Sequence, residues 1–110
     1  MNLEIRVDET NGIVTVFLVG EIDAYTVSEL QEIMDAIVEE KKPNIIVDLE
    51  KVNYIDSTGV GMFIGTLKSV KEYDGKLQLL NMQDRVYRLF QITGLTEVMD
   101  VKAAIRGGSK

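Results

Sequence analysis

Apolar and charged residues alternate from residue 3 to 7, and after Asn11-Gly12 a β-branched run occupies 13–19. Alternation with period two marks a strand with one buried face, and Asn-Gly is the dipeptide favoured by a tight hairpin turn. The opening segment is therefore expected to be a β-hairpin. From Thr26 the period becomes helical: Val27, Leu30, Ile33, Met34, Ile37 and Val38 form one stripe, and Glu29, Glu32, Asp35, Glu39 and Glu40 lie off it. Thr26 and Glu29 have the spacing of a capping box, which sets the helix start near residue 26, and Lys41, Lys42 and Pro43 end it.

Residues 44–49 (NIIVDL) read as a strand buried on both faces of a parallel sheet, followed by a loop containing Tyr54, Ile55 and Asp56. A second helix begins at Ser57, with Val60, Phe63, Ile64, Leu67 and Val70 as its core stripe. Asp74-Gly75 then turns the chain into a strand at 76–80. A third helix is expected over 84–92, with Asp84 as N-cap, Val86, Leu89 and Phe90 facing inward and Gly94 as its stop. Beyond it the pattern weakens to a short edge strand at 98–99 and a last helical turn at 101–105. A hairpin followed by helix–strand units implies an α/β fold: one domain over 1–106 with a mixed sheet of four to five strands, later strands parallel, covered by about four helices, and a flexible tail at 107–110.

Composition narrows the function. The 110 residues include no cysteine and no histidine, which removes disulfides, thiolate chemistry, a Ser-His-Asp triad and the ordinary zinc, copper and haem ligand sets. The inventory argues for binding rather than catalysis, with no cofactor. A formal net charge of −6 repels a phosphate backbone, so nucleic acid is not an expected partner. No basic-then-apolar leader follows Met1 and no apolar run is long enough to span a bilayer, so the expected location is the cytoplasm and the expected state a monomer.

Loops after adjacent parallel strands meet at one end of such a sheet, where α/β folds place binding sites. Two meet here, 20–24 and 53–59. In the second, Asp56-Ser57-Thr58-Gly59 sets a hydroxyl at a helix N-terminus, where unpaired amides and the helix dipole favour negative charge. Ser57 is either simply an N-cap or a capping hydroxyl that also accepts a phosphate able to reach those same amides. The face of this helix opposite its core stripe carries Thr58, Gly61, Met62, Gly65 and Ser69, where a solvated face ordinarily carries Glu, Lys and Arg. Two readings stand: the glycines admit another protein's backbone, with Met62 as an adaptable apolar anchor, or they pack against the chain's own neighbouring helix. Asp23, left without a capping task by Thr26 and Glu29, is either a turn residue or, beside Asp56, a carboxylate that grips a basic group on a partner. Asp48 and Glu50 read as strand-end charges, and Arg85 and Arg88 as a surface pair.

Residues 19–24 (VGEIDA), 46–49 (IVDL) and 56–61 (DSTGVG), in this order and spacing, resemble the STAS-domain anti-sigma factor antagonists of bacteria over nearly the whole chain. The resemblance implies partner switching. The unmodified protein binds an anti-sigma factor that is also a serine kinase, releasing a sigma factor; phosphorylation at the serine matching Ser57 ends binding, and a PP2C-type phosphatase restores it. It also implies that Asp23, Asp56, Thr58, Gly59 and Gly61 lie in or beside the docking surface, to which the helix geometry adds Met62. Two alternatives belong to other classes: a non-switching scaffold of the same fold, and a small ligand-binding or receiver-like module, for which the chain lacks the acidic cluster and lysine.

Overall fold

The computed structural model describes residues 2–40 and 44–104. Strands β1 (Leu3–Thr10) and β2 (Ile13–Ile22) form the antiparallel hairpin. Its turn places Asn11 at φ 53° and Gly12 at φ 81°, the paired positive values that join right-twisted strands in two residues. Helix α1 (Val27–Glu39), strand β3 (Asn44–Ile55), helix α2 (Ser57–Lys71), strand β4 (Lys76–Met82), helix α3 (Asp84–Ile92), a 3₁₀ turn (Leu95–Glu97) and strand β5 (Asp100–Ala103) follow. The sheet runs β1-β2-β3-β4-β5, with β2 to β5 mutually parallel. The α/β class, the mixed sheet and the hairpin thus agree with expectation. The basic stop at 41–43, the limit at 106 and the tail at 107–110 lie outside the described residues.

Because successive parallel strands are neighbours in the sheet, right-handed crossovers carry α1, α2 and α3 to the same face. Burial follows that geometry. Val14, Val16, Leu18, Ile45, Val47, Leu49, Leu77 and Leu79 are buried, while Thr15, Phe17, Ile46, Asp48, Gln78 and Leu80, pointing the other way, are only half-buried. The expectation of a β3 buried on both faces is corrected: one face is core, and on the other Arg6 lies over the Phe17 ring at 4.1 Å from its centroid.

Helix α1 buries Leu30, Met34, Ile37 and Val38, as its stripe requires. Helix α2 is turned from its expected seat. It buries Gly59, Met62, Phe63, Thr66 and Val70, whereas Val60, Ile64 and Leu67 are half-buried. A threonine can occupy that seam because its hydroxyl donates to the Met62 carbonyl at 3.1 Å. Helix α3 buries Val86 and Phe90, is preceded by Gln83 rather than Asp84 as its N-cap residue, and ends before Gly94 at φ 78°. In place of an edge strand at 98–99 and a helical turn after it, β5 begins at Asp100 and pairs with β4.

The strand ends matter most for the site. Sequence period ended β2 at residue 19 and β3 at residue 49, but both continue, to Ile22 and Ile55. Between Phe17 and Val19, and again between Gly20 and Glu21, β3 carries one more residue than β2. Two such bulges change the spacing of buried residues on β3 from two to three, Leu49 to Val52 to Ile55, and keep all of them on the core face. Most of the two expected loops is therefore paired strand. Gly20 has φ 126°, and a Cβ there would lie 2.2 Å from the Asn2 carbonyl oxygen, so only glycine lets the chain cross at this point.

Candidate functional site

The two strand ends are tied by the Asp56 amide, which donates to the Ile22 carbonyl at 3.2 Å. Past this bond β2 enters α1 through Asp23 to Thr26, and β3 enters α2 at once. Asp23 is buried; its Oδ1 accepts from the amides of Tyr25 at 2.9 Å and Thr26 at 3.1 Å. Thr26 is buried too, and its hydroxyl donates to the Glu21 carbonyl at 2.9 Å while accepting from the Asp23 amide. No capping box with Glu29 forms, since Thr26 makes no side-chain cap bond to the helix. Asp23 is a turn residue that closes the corner before α1, and the reading of it as a free carboxylate is corrected.

Asp56, not Ser57, caps α2. Its Oδ1 accepts from the amides of Thr58 at 3.0 Å and Gly59 at 3.3 Å and from the Thr58 hydroxyl. The Thr58 hydroxyl above all, with the amides of Gly59, Thr58 and Ala24, holds the Asp56 carboxyl below its ordinary 3.8 against an opposing contribution from burial. Ser57 is then the first residue of the helix, exposed, and its hydroxyl has no hydrogen-bond partner among the described residues. Two of the amides expected to receive a phosphate, those of Thr58 and Gly59, are already engaged by the carboxylate next door.

Gly59 is buried, and a Cβ on it would meet Ile22 Cγ2 at 2.7 Å and Ile55 Cγ1 at 2.8 Å. It seats the first turn of α2 on the ends of β2 and β3 and presents no surface for docking. Gly61 and Gly65 behave oppositely: each is exposed, with nothing within 4 Å of an added Cβ. Close packing against the chain's own helix is thus not their role. Met62 is 5% exposed and belongs to the core, which corrects its placement as an outward anchor. Thr58, Gly61 and the edge of Met62 face a groove of about 510 Å³ whose other wall is Val27, Ser28, Gln31 and Glu32 of α1.

A second crevice, of about 390 Å³, is lined by Glu21, Asp23, Ala24, Tyr25, Asn53, Tyr54, Asp56 and Arg85. It brings Asp23 and Asp56 together, as expected. Sequence reasoning missed Glu21, Tyr25 and Tyr54; the available signal was two aromatic residues in turn-like segments flanking the acidic positions. Tyr25 is 86% exposed and Tyr54 44%. Asp48 is engaged locally, accepting from the Glu50 amide at 2.9 Å and from Asn81 Nδ2 at 3.3 Å. Among the described residues no group of three or more carboxylates is arranged to hold a metal ion, and no helix is long and apolar enough to cross a membrane.

A three-helix layer on one face of a sequentially wound sheet, with an exposed serine at the start of its second helix, defines a small α/β module. Residues 4–107 match the STAS domain family model. The chain is 44% identical over 101 residues to the anti-sigma-B factor antagonist of Staphylococcus aureus, covering 92% of this chain and 94% of that protein. Among solved structures it is similar to an anti-sigma factor antagonist from Mycobacterium paratuberculosis (TM-score 0.83, 22% identity, 92% and 86% of the two chains). It is also similar to the Bacillus cell fate determinant SpoIIAA in its phosphorylated form (TM-score 0.72, 25% identity, 89% and 90%). The chain belongs to the STAS-domain family, alongside proteins named as anti-sigma factor antagonists.

Proposed function

We propose that this protein is an anti-sigma factor antagonist whose partner is an anti-sigma factor with serine kinase activity, and that phosphorylation of Ser57 switches binding off. The unmodified form occupies the anti-sigma factor and frees its sigma factor; a PP2C-type phosphatase resets the switch, all in the cytoplasm and without catalysis or a cofactor in this chain. The observation that carries the reading is the exposed Ser57 at the first position of α2, between Asp56, which caps the helix, and Thr58, which lines the groove. Thr58 and Gly61 lie at the partner's closest approach, while Asp23, Asp56 and Gly59 hold the corner that presents Ser57.

A phosphate adds close to two negative charges at neutral pH, here next to a carboxylate whose amide partners are already engaged. A like-charge contact in an interface costs several kcal/mol, and about 1.4 kcal/mol changes affinity tenfold, so one phosphate dismisses the partner without unfolding the domain. The test uses the purified cognate anti-sigma factor with wild type, Ser57→Ala and Ser57→Asp. Wild type and Ser57→Ala bind, Ser57→Asp does not, ATP labels wild type alone, and circular dichroism is the same for all three. Tight binding by Ser57→Asp, or labelling that survives Ser57→Ala, refutes the switch.

A further inference from the structure

The sheet ends in two unlike edges. Strand β5 has four residues and a register shift against β4, whereas β1 runs for eight residues in unbroken register with β2 and contains no proline, lysine or bulge. Edges are ordinarily blunted by such devices, because a long regular edge offers its backbone groups to another strand. The Glu21 amide donates to the Asn2 carbonyl at 3.0 Å, and bonded pairs in an antiparallel ladder recur at every second residue. Glu4, Arg6 and Asp8 therefore turn their amides and carbonyls to β2, and Leu3, Ile5 and Val7 turn theirs to the free edge. The side chains divide in the same way. On the core side Leu3 and Ile5 are half-buried and Val7 is 45% exposed, while Glu4 and Arg6 are exposed on the other side.

We infer that β1 is a self-association edge, which pairs antiparallel with β1 of a second copy about a two-fold axis at Ile5. In that register Ile5 meets Ile5, Leu3 meets Val7 twice, and Glu4 stands opposite Arg6 twice, so apolar residues face each other and each charge faces its opposite. Moving the axis by one residue sets Glu4 against Glu4 or Arg6 against Arg6, and moving it to Val7 sets Ile5 against Glu9. The strand is complementary to itself in one register and repels itself in its neighbours. Arg6 is steadied over the Phe17 ring, and neither it nor Glu4 is in an ion pair among the described residues. The two five-stranded sheets then join into one continuous sheet. A net charge of −6 on each copy opposes association, so the contact is weak and the expected monomer is the dilute form.

The experiment is sedimentation equilibrium of the full chain over a concentration series, for wild type, Glu4→Arg, Arg6→Glu, an equimolar mixture of those two, and the double variant Glu4→Arg/Arg6→Glu. Wild type should show a monomer–dimer equilibrium at concentrations up to about 1 mM. Each single variant sets like charges opposite one another at both contacts and should associate about tenfold or more weakly. The mixture should recover dimers, because each arginine of one variant then faces a glutamate of the other. The double variant should dimerise by itself for the same reason, and it separates lost pairing from lost folding. Wild type that stays monomeric at about 1 mM overturns the inference. So does a single variant that associates as tightly as wild type, or failure of both the mixture and the double variant to recover dimers.

Discussion

Asp23 and Thr26 hold each other: the Asp23 amide donates to Thr26 Oγ1 at 2.9 Å, and the Thr26 amide donates to Asp23 Oδ1 at 3.1 Å. Both side chains are buried, so each removal strands a polar group out of water. Asp23→Ala and Thr26→Val should each cost about 1–3 kcal/mol in urea unfolding. The double variant should cost clearly less than their sum, because one corner can be opened only once. Additive losses would show that the two residues act separately.

Gly59 and Gly61, two positions apart on α2, should respond in opposite directions to the same methyl group. At Gly59 the added carbon collides with Ile22 and Ile55, and relief requires shifting a strand end or the helix start, for a loss of about 1–3 kcal/mol. At Gly61 the space is open and alanine is the better helix former, for a gain approaching about 1 kcal/mol. Thermal unfolding of the two variants checks this. Gly61→Ala should nonetheless weaken binding to the anti-sigma factor, since its methyl occupies the floor of the groove.

Met62 separates core from interface by the same logic. At 5% exposure, Met62→Ala should lose about 2–5 kcal/mol through transfer and cavity effects, and any effect on partner binding should scale with that loss of folded protein. An outward anchor would show the reverse, a normal melt with impaired binding.

The elements legible from pattern alone are those whose burial keeps an ideal period: the hairpin, α1, the start of β3, β4 and α3. Where the period changes, sequence reading stopped. Leu49, Val52 and Ile55 are spaced by three because two bulges intervene, and without the partner strand that spacing looks like the end of a strand. Helix α2 misled for a related reason. A glycine and a threonine fill its buried seam, and neither registers as core until Gly59 is seen against Ile22 and the Thr66 hydroxyl on the Met62 carbonyl. Thr58 and Gly61 drew attention because their residue types are unusual for an exposed helix face, and Ser57 because it places a hydroxyl at a helix start. Glu21 did not, because a glutamate near a strand end is ordinary until one of its oxygens is found buried without a partner.

The cap on α2 makes stability depend on acidity in a defined direction. Asp56 has its carboxyl held below 3.8 by the Thr58 hydroxyl and by the amides of Gly59, Thr58 and Ala24. At neutral pH it is ionised in both folded and unfolded chains, and the full preference of the folded state for the anion is present. As pH falls below 3.8 the unfolded chain takes up the proton first, and the contribution shrinks until it is gone below the lowered folded value. Asp56→Asn keeps an oxygen for the same amides but no charge. Wild type should therefore exceed Asp56→Asn by about 0.3–1 kcal/mol at pH 7, the usual worth of an anion at a helix N-terminus, and the two urea curves should converge in acid. A gap that stays constant from pH 7 to below pH 3 would show that the charge on Asp56 contributes nothing to the start of α2.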